Sequence, residues 1–478
     1  MNRPIVRLYG VVVVLFALLV AFTSRWTIFE ASSLRSNALN ARGLIERSRI
    51  ERGRILAADG TVLARSARTA GGFYERRYPS GAEFAHAIGY AYTKLGQTGL
   101  ELYHDGVLSG EGRSELQGIL DELQGRERRG QDVVTTLQPR VQRAAMESLA
   151  GYRGAVVVLE PRAGAVLAMA STPSYDPNGL RSAGALERLS GSGEGSPLVN
   201  RATQFGYAPG STFKVVTAAA AIDSGAYTPS STVNGRNGVV ISAVPLQNDN
   251  DASYGPLTLT QALAKSVNTV WAQVAVSLGK RTMARYMERF GFDRKPLLDY
   301  PSSEMSPSGE YLGERLLSPR SPRVDVGRMG IGQDKLRVTA LQMAQVAAAV
   351  ANGGRLMVPH VTARVLDADG RTITLVSPRV QAVVMRPSTA AAVGSMMEAV
   401  VSEGTGTAAQ IPGVRVAGKT GTAETQIGAK INDVWFIAFA PANDPRVAIA
   451  VTLKGVPGLG GAFAAPIARR VMEAALNG

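Results

Sequence analysis

The chain has no cysteine among its 478 residues. Without thiols it forms no disulfide, and neither thiol catalysis nor a thiolate metal site is possible. Histidine is almost as scarce, with three widely spaced residues, His86, His104 and His360, none of them near a G-x-S-x-G motif. A Ser-His-Asp hydrolase is therefore not expected. Isolated histidines more often have structural roles than bind zinc, so we expect neither a metal nor another cofactor.

Lysine is also scarce. Nine lysines stand beside 43 arginines, so the composition favours arginine wherever only a positive charge is needed. Three of the nine, Lys214, Lys265 and Lys419, lie in or beside the motifs described below. Because lysine can lose its proton near neutral pH and arginine cannot, the choice of lysine at Lys214 indicates a chemical role.

The balance of charge is strongly basic, with a net charge of +14. No run of basic residues interleaved with aromatic ones is present, so we do not expect nucleic acid as a partner. An anionic membrane surface or cell wall fits the charge better. The length predicts two or three domains, and a hydrophobic content of 45% is ordinary for globular protein.

One segment predicts a membrane anchor. Leu8–Ser24 contains no charged residue, and its length of about 25 Å as a helix is near the short limit for a crossing. A cleaved signal peptide is the alternative, but no clear A-x-A-like site follows. Charge bias does not settle the orientation, although a long following domain can translocate regardless. We expect an uncleaved single-pass anchor with residues 1–7 as a cytoplasmic tail and the body of the protein outside the cell membrane.

The first motif that predicts chemistry is Ser211-Thr212-Phe213-Lys214. An apolar stretch follows it, which predicts a helix that begins near Ser211 and brings Ser211 and Lys214 onto one face. A serine hydroxyl needs a base to become a nucleophile, and a desolvated lysine at a helix N-terminus can be that base. Taken alone, the S-x-x-K pair is more often a helix cap and a surface lysine.

Two further motifs follow in the chain. Ser266-Val267-Asn268 comes after an amphipathic stretch and predicts a turn between helices, where Ser266 can relay a proton and Asn268 can bind a substrate amide. Lys419-Thr420-Gly421-Thr422 lies in an alternating segment that predicts a strand. There Lys419 supplies a positive charge, the two threonine hydroxyls can bind a carboxylate, and the glycine lets a substrate backbone approach. Alone, each is more often a cap or an edge strand.

The three motifs in this order resemble the signature of penicillin-recognising serine acyl-transferases. The middle motif has valine where class A β-lactamases have aspartate, which points away from that group. The resemblance assigns catalytic roles to Ser211, Lys214, Ser266, Asn268 and Lys419, and substrate binding to Thr420, Gly421 and Thr422. In this family two backbone N–H groups form the oxyanion hole, and here these belong to Ser211 and Thr422.

The N-terminal third carries a second resemblance. Arg52–Ala64, with its Asp-Gly turn, is similar to the first box of the pedestal in class B penicillin-binding proteins. Tyr78–Gly81, His86–Tyr90 and Gly99–Glu101 are similar to later boxes. The compact pedestal and short chain most resemble the actinobacterial PbpA-type members, which act in cell division. The expected domains are a membrane anchor over residues 8–24, a pedestal or dimerisation-like domain over 25–131, and a penicillin-binding transpeptidase domain over 132–478.

The resemblance implies an α/β fold of the α+β type, with a five-stranded antiparallel sheet covered by helices. It also implies a D,D-transpeptidase that cross-links peptidoglycan stem peptides, with a D-Ala-D-Ala donor, an amine acceptor and covalent binding of β-lactams. Glycosyltransferase or division-complex proteins are the expected partners. Two alternatives remain open: a D,D-carboxypeptidase or β-lactamase-like hydrolase, and a non-catalytic division scaffold.

One long polar segment, Ser302–Arg323, is interpreted as a loop.

Overall fold

The structure is a computed structural model and describes residues 2–24, 48–110, 129–191, 195–426 and 431–477. Residues 25–47 and 111–128 of the predicted pedestal lie outside the described residues.

Strands are numbered in chain order. They are β1 Ile55–Leu56, β2 Val62–Arg68, β3 Tyr74–Arg77, β4 Ala91–Tyr92, β5 Gly96–Gln97, β6 Asp132–Thr135, β7 Arg153–Leu159, β8 Val166–Thr172, β9 Thr232–Asn234, β10 Val239–Ile241, β11 Val244–Leu246, β12 Pro256–Thr258, β13 Gly309–Leu312, β14 Arg315–Leu317, β15 Leu336–Arg337, β16 Arg355–Met357, β17 Thr362–Leu366, β18 Thr372–Leu375, β19 Val380–Val383, β20 Ala417–Gln426, β21 Ile431–Ala440 and β22 Val447–Val456.

The helices follow the same convention. They are α1 Asn2–Ser24, α2 Ala85–Ile88, α3 Gly99–Tyr103, α4 Asp105–Leu108, α5 Pro139–Ser148, α6 Ala185–Leu189, α7 Lys214–Asp223, α8 Leu259–Ala264, α9 Asn268–Arg289, α10 Val326–Met329, α11 Ala340–Ala351, α12 Pro387–Ser402 and α13 Gly460–Leu476.

A five-stranded sheet forms the centre of the C-terminal part, in the order β20-β21-β22-β7-β8. Every neighbouring pair in it is antiparallel. β21 is buried along almost its whole length, as expected for a strand covered on both faces. The prediction of a five-stranded antiparallel sheet covered by helices is therefore confirmed.

Alternating side chains of this sheet belong to two separate cores. Val157 of β7 and Ile437 of β21 point into the core that contains α7 and α11. Val158 and Phe436, one residue away in each strand, point into the core that contains α5 and α13. The period of two along each strand thus separates two helical layers. α7 begins with Lys214, the last residue of the first motif, so this motif lies on the first of these faces.

A second sheet of six strands joins residues 55–77 to residues 132–135 and 362–375, in the order β18-β17-β6-β1-β2-β3. β6 pairs in parallel with β1 on one side and antiparallel with β17 on the other. The predicted pedestal and the predicted transpeptidase domain therefore share backbone hydrogen bonds in one sheet.

The structure extends one prediction and overturns another. The apolar N-terminal helix begins at Asn2 rather than at Leu8, and a stretch of 21 residues, Arg3–Thr23, is long and apolar enough to span a membrane. The prediction of a loop over Ser302–Arg323 is wrong, because the segment contains the hairpin β13–β14. Its strands are short and partly polar, so they lack the apolar run that predicts a strand.

Candidate active site

Ser211 lies in a 3₁₀ turn, Gly210–Phe213, immediately before α7. The predicted helix start is thus confirmed, with Lys214 as the first residue of the α-helix proper. Two contacts fix this turn, since Trp435 Nε1 donates to Ala208 O at 2.9 Å and Gly210 N donates to the carbonyl of Gly332 at 3.0 Å.

Gly210 must be glycine for two reasons. Its φ is +51°, and a Cβ there would lie 2.6 Å from Thr422 O. The close approach brings the backbone before Ser211 directly against the backbone of Thr422. The two N–H groups assigned to an oxyanion hole therefore belong to neighbouring segments.

Lys214 is fully buried, and its ammonium group is held by the second motif. Nζ donates to Ser266 O at 2.7 Å and to Asn268 Oδ1 at 2.7 Å, with Ser266 Oγ at 3.3 Å. Ser266 occupies the predicted turn, between α8 and α9, with a left-handed φ of 59°. This conformation directs both its carbonyl and its hydroxyl toward the lysine.

Lys419 completes the cluster from the strand side. It is also fully buried, and its Nζ donates to Ser266 Oγ at 2.9 Å. The Ser266 hydroxyl therefore lies between Lys214 and Lys419, and the three motifs of the sequence meet at one side chain.

Burial has a large effect on the acidity of both ammonium groups. Desolvation lowers the pKa of Lys214 to about 7, although the negative charge of Asp249 opposes this shift. The pKa of Lys419 is held well below its ordinary value by burial and then by the neighbouring charge of Lys214. Because two ammonium groups next to each other repel, protonation of one lysine opposes protonation of the other.

Ser211 itself is half-buried and accessible. Within the described residues, the hydrogen bonds of Lys214 go to Ser266 and Asn268, and none joins it to the Ser211 hydroxyl. Catalytic hydrogen bonds are often long in a site without substrate. The geometry places Lys214 and Ser211 one turn apart, with a Ser211 hydroxyl that is open to a ligand.

The third motif lies in β20, as its alternation predicts. The Thr420 hydroxyl is buried and shares a hydrogen bond of 2.7 Å with Thr405 Oγ1. Thr422 is more exposed, and its Oγ1 accepts from Gly460 N at 3.2 Å. Thr422 therefore presents the more accessible of the two hydroxyls.

The structure explains why residue 421 is glycine differently from the sequence analysis, which predicted the approach of a substrate backbone. A Cβ at this position would lie 2.6 Å from Pro209 O and 2.9 Å from the Thr212 side chain. The close neighbour of the glycine is thus the segment that carries Ser211. The absent side chain lets the turn that carries Ser211 pack on the strand.

Sequence reasoning missed the segment that faces Asn268 from outside the cluster. Asn268 Nδ2 donates to Gln247 O at 3.1 Å and to Asp249 Oδ1 at 3.4 Å. No motif marks these residues, although four consecutive Asn and Asp residues, 248–251, are a turn signal.

The three histidines lie outside this cluster. Burial lowers the pKa of His86 to about 4, and His104 contacts Thr362.

A serine on an open turn, two buried lysines and a bridging hydroxyl, arranged beside a five-stranded sheet, define a lysine-assisted serine acyl-transferase. The model of the penicillin-binding protein transpeptidase domain matches residues 154–473. The model of the penicillin-binding protein A dimerisation domain matches residues 52–133. The chain belongs to the penicillin-binding protein transpeptidase family.

Individual relatives narrow the class. The chain is 36% identical to the peptidoglycan D,D-transpeptidase PbpA of Mycolicibacterium smegmatis, over 100% of this chain and 99% of that protein. It is 30% identical to the peptidoglycan D,D-transpeptidase MrdA of Escherichia coli, over 80% of this chain and 68% of that protein. A ceftriaxone acyl-enzyme complex of penicillin-binding protein A from M. tuberculosis superposes with a TM-score of 0.81 at 34% identity, over 91% and 100% of the two chains. The resemblance to PbpA-type members is thus confirmed.

Proposed function

We propose that this protein is a peptidoglycan D,D-transpeptidase that acts through an acyl-enzyme on Ser211. The Ser211 hydroxyl attacks the carbonyl of the penultimate D-Ala, and the terminal D-Ala leaves with a proton. An amine of a second stem peptide then attacks the ester, which forms the cross-link and restores the hydroxyl. The observation that carries the proposal is the hydrogen-bonded cluster of Lys214, Ser266 and Lys419 beside Ser211.

Lys214 acts as the general base for Ser211. With a pKa of about 7, a large share of Lys214 is neutral at physiological pH and can accept the serine proton. Ser266 lies within hydrogen-bond reach of both lysines, so it can pass a proton toward the departing amine. The carbonyl and amide oxygens around Lys214 hold its Nζ in place while the proton moves.

Substrate recognition uses the face of β20. Lys419 attracts the terminal carboxylate, and the hydroxyls of Thr420 and Thr422 bind it, with Thr422 as the more exposed of the two. A hydrogen bond with Thr405 Oγ1 holds the Thr420 hydroxyl in position for this contact with the carboxylate. The backbone N–H groups of Ser211 and Thr422 stabilise the oxyanion of the tetrahedral intermediate.

The transferase assignment is favoured over the alternatives by specific observations. Burial of two lysines costs desolvation free energy. A non-catalytic scaffold would gain nothing in return, whereas an enzyme gains a lysine with a lowered pKa. An apolar N-terminal helix followed by a pedestal is atypical of the hydrolytic relatives. That helix supports a single-pass anchor with the transpeptidase part outside the cytoplasm, where peptidoglycan lies. In septal or other wall synthesis, glycosyltransferase or division-complex proteins would supply the glycan strands.

Labelling with a fluorescent penicillin tests the nucleophile. The wild-type chain should be labelled in a one-to-one ratio, and Ser211→Ala should lose the label while its melting temperature stays unchanged. Ser224→Ala, immediately after α7, is the matched control and should be labelled normally. One-to-one labelling of Ser211→Ala would contradict the assignment of the nucleophile.

A further inference from the structure

One acidic loop, residues 247–251, contacts the lysine cluster through Asn268. Gln247 and Asp249 both accept hydrogen bonds from Asn268 Nδ2, the amide nitrogen that faces away from Lys214. The Asp249 side chain is exposed, whereas Lys214 and Lys419 are fully buried. A molecule that approaches the acyl-enzyme along this loop therefore meets a carboxylate before it reaches the lysines.

Asn248 fixes this loop to the second motif. Its buried side chain donates to Gly235 O and to Ala252 O, both at 2.9 Å. Its Oδ1 accepts from Thr269 N at 3.0 Å and from Thr269 Oγ1 at 3.1 Å. Since Thr269 directly follows Asn268, Asp249 is held in a defined position relative to the cluster.

The second half of the reaction places a particular demand on this region. The acceptor is a primary amine that is protonated at neutral pH, and it must approach a site that already contains two lysines. A fixed carboxylate at the mouth offsets that repulsion at short range. The negative charge of Asp249 acts on both lysines, so its carboxylate lies close enough to attract a cation that approaches them.

We propose that Asp249 determines specificity for the acceptor by binding the ammonium group of the second stem peptide at the mouth of the site. The inference rests on the proposed transpeptidase function. The bound ammonium releases one proton to water, and the neutral amine then attacks the ester carbonyl of the acyl-enzyme. The C–N bond forms as the bond from carbon to Ser211 Oγ breaks, and the remaining extra proton of the nitrogen passes through Lys214 to Ser211 Oγ.

Partition of a preformed acyl-enzyme between aminolysis and hydrolysis tests this role. The aminolysis ratio, the amount of amine product divided by the amount of hydrolysis product, does not depend on the acylation rate. A thioester donor forms the acyl-enzyme, and two acceptors compete with water: D-alaninamide, a mostly protonated amine, and methoxyamine, which is uncharged at neutral pH. Asp249→Asn keeps an oxygen for Asn268 Nδ2 but removes the charge. It should lower the aminolysis ratio for D-alaninamide about tenfold and leave the ratio for methoxyamine unchanged.

Asp249→Glu should restore part of the preference for the charged acceptor. Asp251→Asn removes another acidic residue of the same loop and should behave as wild type, as the matched control. Equal ratios for Asp249→Asn and wild type would overturn the inference, as would an equal loss for both acceptors, since that pattern means a shifted loop or altered lysines. Failure of the wild type to form any acyl-enzyme would instead contradict the proposed function on which the inference rests.

Discussion

At the scale of single residues, burial decides the chemistry of Lys214. An exposed lysine would be almost fully protonated at neutral pH, whereas desolvation lowers the pKa of Lys214 to about 7. Since the neutral form is the base, the acylation rate should rise with pH through about 7 and level off above it. Measurement of the second-order acylation rate by benzylpenicillin between pH 5 and 9 checks this profile.

Lys214→Arg keeps the charge but removes the base. Arginine stays protonated throughout this range, so acylation should fall by orders of magnitude and lose the rise near pH 7. Lys265→Arg, a lysine next to the cluster but outside its hydrogen bonds, is the control and should acylate normally. An acylation rate for Lys214→Arg within a few-fold of wild type would mean that Lys214 supplies charge alone.

Thr422→Val separates carboxylate binding from nucleophile activation. The substitution removes an accessible hydroxyl but keeps the shape and the backbone N–H. A lost hydrogen bond to a charged group costs about 1.5–3 kcal/mol, so acylation by a donor with a free carboxylate should fall roughly ten- to a hundredfold. An ester donor without that carboxylate should lose much less. Equal losses for both donors would show that Thr422 shapes the strand instead.

The motif residues could be predicted from the sequence because each pair is close along the chain. Ser211 and Lys214 share one turn, and Ser266 and Asn268 share another, so spacing alone brings their side chains together. The contact between Thr405 and Thr420 depends on how α12 packs beside β20, which no local pattern encodes. Asp249 was missed for the same reason, since its loop reaches Asn268 only in the folded chain.

At the scale of secondary-structure elements, one ion cluster holds the N-terminal part together. Glu101 of α3 is completely buried and accepts hydrogen bonds from Arg52 and from Arg76 of β3. Arg76 also donates to the carbonyl of Gly53 at 2.7 Å. The cluster thereby joins α3, β3 and the segment before β1, which are separate in the sequence.

Glu101→Gln should destabilise this part of the protein strongly. It removes the countercharge of Arg76 and leaves Arg52 with the more exposed Asp105, and loss of one partner of a buried ion pair costs about 3–5 kcal/mol. Asp105→Asn removes a more exposed partner of Arg52 and should cost far less. Thermal denaturation of both variants gives the comparison. Equal melting temperatures for the two would contradict the structural role of Glu101.

Long elements with a strong apolar pattern, such as β21, β22 and α11, are the ones that a sequence indicates most directly. The hairpin β13–β14 was missed because its strands have four and three residues and include charged side chains. Such strands are stabilised by pairing with a neighbouring strand, here β15, and intrinsic propensity contributes little.

At the scale of the whole molecule, the six-stranded sheet joins regions that the sequence suggested were separate domains. β6 at residues 132–135 lies between β1 and β17, so its position in the sheet depends on strands from both parts. A boundary between residues 131 and 132 stays a prediction from composition and motif order. The register that joins the parts involves residues far apart in sequence, which explains why local patterns did not indicate it.

A chain that begins at Asp132 should therefore be much less stable than one that begins at Ser48. The longer chain keeps the ion pair between Arg54 and the buried Asp132 carboxylate, at 2.6 Å, and the bond from Thr135 Oγ1 to Leu56 O. The shorter chain loses both and leaves β6 as an open sheet edge. We expect a melting temperature at least about 10 °C lower, with aggregation on concentration. Thermal denaturation and penicillin labelling of the two chains measure the difference, and equal melting temperatures would show that the transpeptidase part folds without the pedestal.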